Sequence, residues 1–113
     1  MPDRLQLVLA IVQERDAGRL VDRLTEAGFQ ATMLASTGGF LRAGNATILV
    51  GTEAEQVDRV LEIVRTTCRT REQLMTPIPP VMEPVDSYVA YPLRVQVGGA
   101  VIFVLDVARM ERV

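Results

Sequence analysis

The sequence predicts an α+β fold in which one antiparallel sheet carries two helices, in the order β-α-β-β-α-β with an extra hairpin strand. Three observations predict it. Short apolar runs rich in Val, Ile and Leu alternate with two segments whose apolar residues recur at helical spacing. A glycine-rich stretch separates two of the strands, and a Gly-Gly pair precedes the last one. This order of elements is the ferredoxin-like pattern.

Residues 5–12 (LQLVLAIV) form the first strand. Both alternating sets, Leu5, Leu7, Leu9, Ile11 and Val8, Ala10, Val12, are apolar, so both faces should be buried. Asp16 is a candidate N-cap for a helix over about residues 16–27, with Leu20, Val21, Leu24 and Ala27 on its apolar face. Gly28 supplies the stop. Residues 29–34 (FQATML) alternate as a second strand, and residues 46–50 (ATILV) form a third. Thr52 and Glu55 form a capping-box pair opening a second helix over about 53–67, with Val57, Val60, Leu61 and Val64 inward. Cys68 continues that apolar face, and its thiol is expected to be inert.

Residues 76–92 hold five of the six prolines and both tyrosines, Tyr88 and Tyr91. Prolines at this density exclude a helix or a central strand, and a loop this long is either a semi-rigid connector or a binding loop. Residues 93–97 then alternate, with Leu93, Val95 and Val97 inward, and Gly98-Gly99 fits a hairpin turn into a last strand over 101–107. Two helices cover one face of such a sheet, yet the central strands are apolar on both. A second copy of the chain is the simplest cover, so an oligomer is expected.

Composition excludes several function classes. The 113 residues are the length of one domain, 1–113, and its core must rest on aliphatics because aromatics make up only 4%. A net charge of −2 without charge blocks gives no footprint for nucleic acid or a membrane surface. The sequence contains no long apolar run and no signal-like start, which points to a cytoplasmic protein. Without histidine and with one cysteine, neither a zinc site nor a histidine-based triad is expected.

The stretch with most chemistry is residues 35–45, ASTGGFLRAGN. Its glycines let backbone N–H groups close on an anion, Phe40 offers a wall for a base, and Asn45 carries an amide that can donate and accept at once, as an adenine edge requires. Arg42 can contact a charge or point to solvent. The same glycines and Asn45 are ordinary turn formers, so on composition alone a structural loop is favoured over a ligand loop. The stretch has no Walker pattern.

The segments AIVQ (10–13), LASTGGFLRAGN (34–45), REQLMTPI (71–78), DSYVAYP (86–92) and VGGAVIFVL (97–105) resemble the PII-like cyclic di-AMP receptor family, in order and over nearly the whole chain. The resemblance implies a bacterial signal transduction protein with a PII-like fold. It implies a homotrimer binding cyclic di-AMP in clefts between subunits, relay through loop rearrangement to a downstream protein, and no enzymatic activity or cofactor. Carried over position by position, it implies that Thr32 contacts an adenine beside Gln30 and Ala31. It further implies that Thr37, Gly38, Gly39, Phe40 and Leu41 give backbone donors and apolar contact to a base. Asn45 would bond the other end of a base, and Gly51 would allow close approach. Two departures stand out: Gln30 occupies a position where the family often has arginine, and the chain ends Met110, Glu111, Arg112, Val113 without the family's glutamine near an aromatic. The competing class is a small trimeric enzyme acting on a nucleotide. Its candidate bases, Asp16, Glu72, Glu83 and Asp86, have no second catalytic group at a recognisable spacing.

Overall fold

The computed structural model describes residues 4–36, 44–75 and 93–113. Strand β1 (Leu5–Gln13) leads directly into helix α1 (Glu14–Glu26). Strands β2 (Ala31–Ser36) and β3 (Asn45–Glu53) follow, then a 3-10 turn (Ala54–Gln56) and helix α2 (Val57–Cys68). Strands β4 (Arg71–Met75), β5 (Leu93–Val97) and β6 (Ala100–Asp106) complete the order. The main sheet runs β2-β3-β1-β6 with every pairing antiparallel, and β4 and β5 form a separate two-stranded ribbon. The α+β ferredoxin-like expectation holds, and the extra strand proves to be a pair.

The core follows from the period of two along the strands. Val8, Ala10 and Val12 of β1 and Ala46, Ile48 and Val50 of β3 face the helices. Leu20 and Leu24 of α1 and Val60 and Val64 of α2 close over them and are fully buried. Each such Val or Leu side chain contributes about 1.5–3 kcal/mol by leaving water. Between the helices, Arg23 donates to the hydroxyls of Thr66 at 3.0 Å and Thr67 at 2.7 Å.

Several local expectations are corrected. Helix α1 starts at Glu14, and Asp16 is not its cap: β1 continues without a break through Gln13, so Asp16 falls in the first turn and is buried. Thr52 and Glu55 form no capping box, because β3 runs on to Glu53 and holds Thr52 in register with Gln6; neither helical start there has a side-chain cap bond. Strand β2 lies two residues later than its alternation suggests, and β3 begins at Asn45. Strand β4 has no apolar signal, since its sequence is REQLM.

Gly98-Gly99 is not a hairpin turn. Strand β5 pairs with β4 and β6 pairs with β1, so the two glycines turn a corner between two sheets, with φ of 86° and 96°. Leu93, expected inside, is 54% exposed, because burial fades along β5 with distance from Val97.

Contacts at this corner anchor the ribbon. The Arg71 guanidinium donates to both carboxylate oxygens of Asp16, at 2.9 and 3.4 Å. The Gly98 N–H donates to the Gln13 side-chain oxygen at 2.6 Å, Gly99 N–H donates to the Cys68 carbonyl, and Arg15 reaches Gln73 at 3.1 Å. A Cβ on Gly98 would run into the Arg69 carbonyl and the Arg71 guanidinium, so this position requires glycine for space as well as for φ.

The face of the sheet away from the helices carries rows of apolar side chains. Leu9 lies between Leu49 and Phe103, Leu7 between Gly51 and Leu105, and Ile11 between Thr47 and Val101. Leu34 on β2 and Phe103 and Leu105 on β6 are exposed on this face in the single chain. A continuous apolar sheet face of this kind calls for a partner surface. Light scattering at micromolar concentration is expected to give an oligomer mass, and Leu9→Lys in the middle of the face should shift it to the monomer. A monomeric parent protein would remove the case for self-association.

Candidate functional site

The register brings three of the sequence-selected residues together. Thr32 pairs with Leu49, which places its side chain on the open face, and Gly51 lies on the same face two residues further along β3. Gln30, just before β2, reaches the same corner. These three border a cavity of about 380 Å³. Its floor is Leu5, Leu7 and Leu49, its far wall is Val107 and Met110, and Gln6 and Thr52 complete the lining. A second cavity of about 470 Å³ shares Gln30, Gly51 and Thr52 and extends toward Phe29 and Gln56.

The tail is held here by the backbone. Val107 N–H donates to the Leu5 carbonyl at 3.0 Å, which carries Met110 to the cavity wall. The polar lining, Gln6, Gln30, Thr32 and Thr52, is neutral. The arrangement offers hydroxyl and amide groups around an apolar floor, which suits a flat, partly polar ring.

Gly51 is informative because the chain does not need it. A Cβ at this position would meet nothing within 4 Å, and its φ is not in the left-handed region. Neither packing nor conformation demands glycine. The missing side chain leaves room for something approaching from outside the chain.

Two other candidates are placed elsewhere. Ala31 points to the opposite side of β2 and packs against the core, as alternation along a strand requires. Asn45 opens β3, paired with Gln13 on one side and Ser36 on the other, and is 1% exposed. It is part of the buried structure, not a loop-end residue. It lies six positions from Gly51, or roughly 20 Å at about 3.3 Å per residue. Thr37, Gly38, Gly39, Phe40, Leu41 and Arg42 lie outside the described residues, as does the segment 76–92 with Glu83 and Asp86.

Sequence reasoning missed Leu5, Gln6, Leu7, Leu49, Thr52, Val107 and Met110. The alternation of the first strand marked Leu5 and Leu7 as a second apolar face, but only the register shows that they underlie Thr32 and Gly51.

The two described candidate catalytic groups, Asp16 and Glu72, do not converge. Asp16 is committed to Arg71, and Glu72 is exposed with Arg94 at 3.8 Å. Among the described residues no three His, Cys, Asp or Glu side chains are placed to hold a metal ion, and no helix is long and apolar enough to cross a membrane. Cys68 is buried, and its thiol is pushed up to about 12, first by burial and then by the nearby Asp16 carboxylate, against the opposing pull of Arg71 and Arg23.

A family model described as cyclic-di-AMP receptor matches residues 5–113. A crystal structure of a functionally unknown protein from Pediococcus pentosaceus is 43% identical, with 99% of this chain and 100% of that one covered and a TM-score of 0.81. Arabidopsis thaliana PII bound to citrate shares the fold at 18% identity and a TM-score of 0.65, covering 99% of this chain and 82% of that one. A Bacillus subtilis GlnK-ATP complex shares it at 14% identity and a TM-score of 0.51, covering 88% and 94%. The fold is PII-like.

The raised thiol makes a direct prediction. A thiol reagent at pH 8 should leave Cys68 unmodified in the native protein and titrate it fully in denaturant. The sign with pH also follows. An unfolded thiol begins to lose its proton near 9, while the folded one holds it to about 12, so stability should fall as pH rises between those values. Cys68→Ala should flatten that slope, and an equal slope in the variant would assign it to other groups.

Proposed function

The chain belongs to the cyclic-di-AMP receptor family, and on that footing we propose that it is a signalling receptor that binds cyclic di-AMP between the subunits of a homotrimer. The observation that carries the interface reading is the separation of the site residues. Gln30, Thr32 and Gly51 gather at one end of the open face, whereas Asn45 lies at the other end of β3. One ligand cannot easily touch both sets within one chain, but a second copy laid on the apolar face can bring its own residues to the first. The same copy covers Leu9, Leu34, Phe103 and Leu105.

In this reading the cavity over Leu7 and Leu49 receives an adenine. Thr32 and Gln30 meet its polar edge, Gly51 admits its approach, and Met110 closes the side. Thr37, Gly38, Gly39, Phe40 and Leu41 supply the backbone donors and apolar contact that the family resemblance implies. Ligand binding then biases the segments that border it, and any partner reading those segments senses occupancy as a population shift. The downstream partner is a protein surface, and no catalytic step is involved.

Calorimetry with cyclic and linear dinucleotides should show cyclic di-AMP binding tightest, with no turnover product on prolonged incubation. Thr32→Val should weaken binding about five- to hundredfold, the effect of one lost polar contact in a desolvated site of about 1–3 kcal/mol. Gly51→Val should abolish binding at unchanged melting temperature, since a Cβ at this position meets nothing within 4 Å. Asn45→Ala should weaken binding and also lower the melting temperature, because Asn45 is buried. Wild-type affinity in both Thr32→Val and Gly51→Val would remove this cavity from the site.

A further inference from the structure

The Gln13 side chain has a position that the strand β1 role alone does not explain. It is buried, although it ends an apolar run, and its oxygen accepts the Gly98 N–H at 2.6 Å. In register it lies directly opposite Asn45, where side chains of paired residues stand about 5 Å apart at Cβ. The next residue ties the same end of β3 a second time: Glu14 N–H donates to the Gly44 carbonyl at 3.0 Å. The Glu14 carboxylate also lies over Gly44, where a Cβ would meet it at 2.6 Å. On the other side, Asp16 holds Arg71 at the start of β4. Three residues of the β1–α1 junction, Gln13, Glu14 and Asp16, therefore meet the entry to β3 and both feet of the β4–β5 ribbon.

We propose that Gln13 is a positioning residue of the ligand site, joining Asn45 to the Gly98 corner of the ribbon so that occupancy at Asn45 is felt at residues 97–99. The proposal rests on the receptor reading above and adds a residue to it. A buried amide with one end fixed on Gly98 has few orientations open to it, so it fixes the strand position it faces. Any displacement of Asn45 by a ligand changes what Gln13 can hold, and the Gly98 N–H has a buried environment with little water to replace that oxygen.

The test uses the full chain in three forms: wild type, Gln13→Met, which keeps length and loses the amide, and Glu72→Gln as a ribbon control. Cyclic di-AMP affinity is measured by calorimetry, and backbone amide exchange at residues 97–99 is measured with and without saturating ligand. In wild type and Glu72→Gln, ligand should slow exchange at 97–99. In Gln13→Met, affinity should fall roughly tenfold, in line with the loss of one buried polar contact, and the response at 97–99 should disappear at full occupancy. The same response in Gln13→Met as in wild type overturns the proposal, and so does a wild type that binds ligand with no change at 97–99. A wild type that binds no cyclic di-AMP instead refutes the receptor reading, and the link is then decided without ligand. Asn45→Ser should speed exchange at 97–99, and unchanged exchange overturns the proposal. That last arm needs no Gln13 variant, so it also decides the matter if Gln13→Met does not fold.

Discussion

Strand β1 is apolar at every position from Leu7 to Val12 and hydrogen-bonded along both edges, and the rest of the molecule is arranged around that constraint. Its even side chains define where α1 and α2 must lie. Its odd side chains define a second apolar face that the helices cannot reach. Its last residue, Gln13, runs straight into α1 and leaves no room for a loop. Placing β3 and β6 on either side of β1 then fixes which residues share a row, and so fixes that Thr32, Leu49 and Leu9 stand together on the open face.

The ribbon depends on a smaller set of contacts. It has little apolar burial of its own beyond Val97, and Leu74 and Leu93 are exposed. Asp16–Arg71 and Gln13–Gly98 hold its feet instead. Asp16 is buried while Arg71 is partly open to water, so the pair gains less than a fully enclosed one. Removing Arg71 is the costly change, because it strands a buried carboxylate; the roughly 3–5 kcal/mol typical of enclosed pairs is an upper limit here. The Arg71 guanidinium is held firmly charged, chiefly by its hydrogen bonds to Asp16. Gly98 completes the corner, since neither its φ nor the space around it admits a side chain.

The parts of this fold that were legible in the sequence are those set by local periodicity. The apolar faces of residues 5–12, 57–64 and 101–105 identified elements and their order, and two apolar faces on one strand signalled an uncovered sheet. The parts that were not legible are set by long-range partners. Asp16 has the composition of a cap, and only the distant Arg71 makes it an ion-pair residue. REQLM has no strand signature because β4 forms against β5 and not against the core. Gly98-Gly99 has the composition of a hairpin and serves as a corner, because β6 pairs with β1 while β5 pairs with β4. For the site, Thr32 and Gly51 were found through family resemblance. The floor beneath them, Leu5, Leu7 and Leu49, needs the register. Asn45 shows the limit of a motif: a turn-forming residue at the end of a glycine-rich stretch is here the buried first residue of a strand.

The neutrality of the cavity bears on how a doubly anionic ligand would be held. Gln30 stands where the family often carries arginine, and among the described residues none that lines the cavity over Leu7 and Leu49 is charged. The chain as a whole is slightly acidic. In the proposed reading, these described residues therefore contribute little attraction between opposite charges at this end of the open face. In the proposed reading the free energy comes from enclosing the flat apolar surface of a base over Leu7 and Leu49 and from satisfying its edge with Thr32 and Gln30. Such a site discriminates by shape and hydrogen-bond pattern, because a buried amide left unpaired costs more than a paired one gains. It rewards an adenine over a phosphate-only anion. In the same reading a second chain completes the site, by excluding water from a cavity that the described residues of one protomer leave open.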